Sequence, residues 1–215
     1  MLHCYPSDLK VGSGELMELL RNLDVRLIDM GHTHYNEIAN DGWTLYSATR
    51  STVQIEEGPA GYSVTNLDGD VVSWRFVELG TLPVVMIISP SDERLLTKTS
   101  ESVEGNLKVR AKFCGESEAV RLNTRFDGHD VSMQRVGKSQ VWEAHVSALH
   151  EGMYRLVVEA EDKLGKAATD AIRLVIGDNA EQERVGRDQD NALGAWPEHG
   201  LLGTKLGPNK NGKKW

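Results

Sequence analysis

Two histidines with one residue between them, His32 and His34, follow an apolar run in the stretch from Val25 to Asn36, which reads VRLIDMGHTHYN. Neutral imidazole suits Zn, Fe and Mn, so two rings held together can point at one metal ion or at two neighbouring ions. The elements around them must supply the positioning. Val25 to Met30 reads as a buried strand bounded by polar and turn residues. Gly31 lets the backbone turn sharply at its end. In extended chain, side chains at i and i+2 project from one face, which would put both imidazoles on the same side.

The same residues carry a resemblance. Gly31-His32-Thr33-His34 at a strand end resembles the Gly-His-x-His block of the calcineurin-like metallophosphoesterases. Tyr35-Asn36-Glu37, Thr44 to Arg50 and the hairpin from Gly61 to Asp70 are similar to the next strands of the cyclic-nucleotide-phosphodiesterase-like members of that family. His3, shortly before Pro6, matches a strand-end histidine of the family, although Cys4 stands where many relatives have a second histidine. The resemblance covers residues 1 to about 80 and implies a dinuclear centre of divalent Mn, Fe or Zn. His3 and His32 would ligate one ion and His34 the other, and Tyr35 would lie near the leaving group. Two such ions generate a hydroxide that attacks phosphorus, so the implied activity is hydrolysis of a phosphomonoester, phosphodiester or nucleotide. The family's Asp-x-His, Gly-Asp and Asn-His motifs have no match here. Gly69-Asp70 reads as a hairpin turn, Gly177-Asp178-Asn179 lies at the edge of a polar tail, and His129, His145 and His150 read as surface residues. The implied object is the C-terminal part of a catalytic domain with an incomplete site and no assignable catalytic residue.

Composition bounds the alternatives. The 215 residues are 40% hydrophobic and 26% charged, ordinary values for a globular protein with room for one large or two small domains. A formal net charge of -8 argues against general nucleic-acid binding, which needs a basic surface. No apolar run approaches the roughly 20 residues of a membrane span, and no signal peptide is visible. Cys4 and Cys114 fall in different expected domains, so no disulfide is expected and a cytoplasmic setting is the expectation.

Along the chain, Gly14 to Asp24 reads as an amphipathic helix with Leu16, Leu19, Leu20 and Leu23 at the helical period and Ser13 as its cap. Short strands are expected near 35–39 and 43–48, joined by a turn at Asn40-Asp41-Gly42. A half-exposed hairpin is expected around Asp68-Gly69. Thr81-Leu82-Pro83 marks a boundary. Beyond it strands recur near 84–88, 106–113, 119–126, 130–135, 139–146, 153–160 and 167–176, the spacing of an immunoglobulin/fibronectin-III-like β-sandwich. Gly152 to Gly165 looks like a late strand of that fold, with Tyr154 at its corner; alternation leaves open whether Trp142 or Val141 faces inward. The sequence alone assigns this domain no chemistry. Residues 178–215 are polar, with some apolar content at 194–203 that could dock on another surface.

The expected fold class is thus α+β: a partial metallophosphoesterase α/β sandwich over 1–80, an all-β sandwich over 81–177 and a largely disordered tail. Three functions compete. One is a metal-dependent phosphoesterase fragment. Another is a non-catalytic module whose sandwich binds a protein or carbohydrate, and the third is a mononuclear site on His3, His32 and His34.

Overall fold

The structure, a computed structural model, describes residues 2–52, 58–98, 106–147, 150–177, 193 and 195–201. The helical period produces α1 (Ser13–Asn22), with Leu20 buried while Leu19 and Leu23 face outward. Its N-cap is Gly12, in the left-handed conformation at φ 81°, and Ser13 is the first helical residue. The apolar segments after it form β1 (Leu27–Met30), β2 (Glu37–Asn40) and β3 (Leu45–Ala48). These make one small sheet in the order β1-β3-β2, with β1 parallel and β2 antiparallel to β3. The Asn40-Asp41-Gly42 turn holds itself: Asn40 Oδ1 accepts from Gly42 N and Asp41 Oδ1 from Thr44 N, each at 2.8 Å.

Both faces of this sheet are covered, as its burial at every position of β2 and β3 requires. One face packs Ile28, Met30, Ala39, Tyr46 and Ala48 against Tyr5 and Leu20 of α1. The opposite face packs Ile38 and Leu45 on Val72, Trp74 and Phe76 of the hairpin formed by β4 (Gly61–Asp68) and β5 (Val71–Glu78). The expected half-exposed hairpin is therefore buried along most of β5.

The described residues between 84 and 176 build two facing four-stranded sheets. One is β10-β11-β7-β6, from β6 (Val84–Ser89), β7 (Leu107–Cys114), β10 (Gln134–Arg135) and β11 (Val141–Val146). The other is β13-β12-β8-β9, from β8 (Ala119–Phe126), β9 (His129–Ser132), β12 (Gly152–Asp162) and β13 (Ala167–Ile176). Alternate residues such as Val85, Val109, Leu122, Leu156, Val158 and Leu174 interdigitate between them. Antiparallel sheets packed this way are the immunoglobulin/fibronectin-III-like all-β fold. Tyr154 closes its corner by donating its hydroxyl hydrogen to the His150 carbonyl at 3.0 Å. The segment expected as one strand at 130–135 is two strands in different sheets, separated at Met133, whose side chain enters the core.

The α+β class and the partial metallophosphoesterase α/β sandwich are corrected by this architecture. Among the described residues there is one α-helix against thirteen strands, and the layer opposite α1 is a β-hairpin. The physical reason is that the helical period ends at Leu23; from Leu27 onward the apolar residues recur at strand spacing, so each added layer is a sheet.

The C-terminal residues 193 and 195–201 seat on the junction between the small sheet and the sandwich. Leu193 N donates to Ile38 O, while Trp196 and Leu201 complete the apolar layer over β5.

Candidate functional sites: a histidine pair and a tryptophan-lined cleft

Residues 2 and 3 run beside β1: Leu2 N donates to Asp29 O at 3.1 Å and Gly31 N donates to His3 O at 3.2 Å. This places His3 Nε2 3.2 Å from His32 Nδ1, the rings meeting edge to face at 5.0 Å between centroids. Beyond β1 the chain does not stay extended. His32 and His34 both adopt left-handed backbone, at φ 71° and 63°, and Thr33 N turns back to donate to Gly31 O at 2.9 Å. The expectation that i and i+2 side chains share a face of extended chain is corrected accordingly. Such backbone is uncommon outside glycine, though less so for histidine than for most residues.

Asp8 and Cys4 neighbour the pair. Burial pushes the Asp8 carboxyl up, opposed by the charge of His32. Burial and then the charge of Asp8 push the Cys4 thiol up, away from the thiolate that a metal would need. The separation of the two imidazole nitrogens matches one edge of a tetrahedral zinc site, about 3.3 Å for metal–nitrogen bonds near 2.0–2.1 Å. The contact is itself a hydrogen bond in which one ring donates to the other, so the two nitrogens are partnered with each other. Among the described residues, no three His, Cys, Asp or Glu side chains converge to hold an ion, so a two-metal centre with a bridging carboxylate does not fit.

Metal-dependent phosphoester hydrolysis is corrected on these grounds. Among the described residues the architecture is all-β apart from one α-helix, and no group of three or more His, Cys, Asp or Glu side chains comes together to hold two cations and offset their repulsion. Gly69-Asp70 is a hairpin turn, and His129, His145 and His150 lie exposed. The motif at 177–179 falls mostly outside the described residues.

A second site lies at one end of the sandwich, where the 115–118 turn meets β10 and the start of β11 around a cleft of about 170 Å³. Trp142 pairs with Ala111 on one side and Arg135 on the other. It shares the inward face with buried Ala144 and Val146, so its indole closes the end of the core and lines the cleft. Arg135 reaches across, held by Ser139 O at 2.7 Å, with its guanidinium 3.9 Å from Glu118. Glu118 accepts from Lys163 at 2.5 Å and Glu116 from Lys166 at 3.2 Å. The hydrogen bond from Lys163, its charge and that of Arg135 hold the Glu118 carboxyl below the usual carboxylate range. Gln140 completes the wall, its backbone carbonyl accepting from Phe113 N. Sequence reasoning missed this site; the available signal was an aromatic strand residue flanked by Arg135 and Gln140 across a tight turn.

No family model matches the sequence, and no curated protein does. Solved structures do. Fibronectin(III)-like modules of Clostridium thermocellum CbhA share 16% identity over 76% of this chain and 95% of theirs, with a TM-score of 0.35. The PKD1 domain of the Vibrio cholerae metalloprotease PrtV shares 12% over 46% and 100%, with a TM-score of 0.29. A modular endo-β-1,4-mannanase of Cellulomonas fimi shares 17% over 48% of this chain and 20% of its own, with a TM-score of 0.34. The matched region spans about a fifth of the length of the first structures it resembles.

Proposed function

We propose that this chain is a non-catalytic binding module whose β-sandwich engages a partner at the Trp142 cleft, while the N-terminal sheet and α1 serve as a platform joined to it. The observation that carries this reading is the cleft itself, a concave site that combines one half-buried indole with Arg135, Gln140 and two ion-paired carboxylates. Binding sites commonly pair an apolar wall with a few placed polar groups in this way. The test screens immobilised chain against glycan and peptide arrays, beside the Arg135→Ala/Gln140→Ala variant. The expected result is a ligand held by the parent chain and released by the variant. Retention of every ligand by both proteins would sink the reading.

The His3–His32 pair supports a second reading, a single divalent ion such as Zn held by these two imidazoles, with His34 as the remaining histidine of the motif. The support is the contact of the two ring nitrogens at 3.2 Å, a hydrogen bond that a bound ion would replace. This reading carries no hydrolytic step.

A further inference from the structure

We infer that the Trp142 cleft takes a neutral sugar ring, an inference that rests on the binding-module reading above and names its ligand class.

Three features of the cleft point the same way. The first is size. At about 170 Å³ it falls below the roughly 300–1,000 Å³ typical of sites for drug-sized ligands, leaving room for one small ring.

The second feature is charge. Glu118 and Glu116 are already matched by Lys163 and Lys166, and Arg135 stands against Glu118. With its carboxylates matched by exposed lysines beside the cleft, the site has little unpaired negative charge to offer a cation. Its one further guanidinium faces a carboxylate, which disfavours an anion as principal ligand. A ligand with hydroxyls is served differently: carboxylates accept from adjacent hydroxyl groups, while guanidinium and amide N–H groups donate to them. Hydrogen bonds to charged groups are also the stronger kind, so a neutral polyol still gains from this wall.

The third feature is the indole. Trp142 is only half-buried, and it presents an aromatic surface at the cleft while its other contacts anchor it in the core. A pyranose has hydroxyls around its edge and an apolar C–H face, which complements one aromatic wall and a polar rim.

The experiment records amide and indole N–H resonances of the full chain by two-dimensional NMR while glucose, galactose and mannose are added, with glucuronate and glucosamine as charged counterparts and, in a separate titration, any peptide held on the peptide array. At least one neutral hexose is expected to shift the Trp142 indole resonance in a saturable manner, more tightly than either charged sugar. Arg135→Ala and Glu118→Gln, both at exposed side chains, should each weaken that binding about tenfold while leaving the rest of the spectrum in place. Preference for a charged sugar, or equal binding by the variants, overturns the inference. If a peptide shifts the Trp142 resonance and no sugar does, the sugar assignment falls and the binding module stands. If nothing shifts it, both fall.

Discussion

His199 Nε2 stands 2.8 Å from Asp170 Oδ1, linking the C-terminal segment to a strand of the sandwich, and both side chains are nearly fully buried. On its other side His199 Nδ1 lies 2.8 Å from the Trp74 carbonyl of β5. Both ring nitrogens thus lie 2.8 Å from an oxygen, one of the carboxylate and one of the main chain. Asp170 also accepts from Ile87 N at 2.7 Å and lies 3.4 Å from Arg75, whose guanidinium donates to Val85 O at 2.8 Å. Trp196 stacks on His199 at 3.8 Å between ring centroids, and the Arg94 guanidinium lies 3.5 Å from the Trp196 ring centroid. One carboxylate therefore ties together β5, β6, β13 and the C-terminal segment.

Removing one partner of a buried pair leaves the other uncompensated, at a cost of about 3–5 kcal/mol. Asp170→Ala is expected to destabilise the chain by about that amount, and His199→Ala by a similar one, read as a lowered urea midpoint. A combined variant should cost much less than the sum of the two, because the sites share one interaction. Simple additivity would show that the two residues are not coupled.

The Asp170 carboxyl is strongly desolvated, which alone would raise it, but the hydrogen bond and charge of His199, then Arg75 and Ile87 N, hold it below the ordinary carboxylate value. A depressed folded value means that its contribution is complete above the unfolded value of about 3.9 and is lost as pH falls through the folded one. The stability gap between the parent chain and Asp170→Asn should therefore shrink as pH falls below about 4. Thermal melts across that range provide the check. A gap that persists undiminished through that acid range would contradict the assignment.

Tyr154→Phe removes only the hydroxyl that bonds the His150 carbonyl, so a loss of about 1 kcal/mol is expected. Leu156→Ala, at a fully buried position between the sheets, should cost about 2–5 kcal/mol through the cavity it leaves. Chemical denaturation ranks the two. A larger loss for Tyr154→Phe would mean that the corner bond matters more than core volume.

His3→Ala and His32→Asn each remove one of the paired imidazoles, and asparagine tolerates the left-handed backbone at residue 32. Each is expected to lower zinc affinity at least tenfold in a calorimetric titration, with the sandwich melting unchanged because its core is separate. Undiminished zinc uptake by both variants would remove the pair from consideration.

Local pattern alone determined much of this protein. Alternating apolar residues placed most sandwich strands, since burial between two sheets demands a period of two. Tyr154 and the turn at Asp162 to Gly165, where Asp162 Oδ1 accepts from Leu164 N and Lys166 N, were legible because each is a local interaction. Tertiary structure decided the rest. Alternation cannot choose between two opposite registers, so only the facing sheet turns Trp142 inward. His3 and His32 meet because residues 2 and 3 pair with β1, while the backbone turn after Met30 removes the shared face that spacing implied. The Gly31 to His34 motif is four residues long, whereas a metal centre needs donors converging from distant segments. His199 reached Asp170 only once the C-terminal segment had an apolar layer on which to lie, a surface that exists nowhere in the one-dimensional chain.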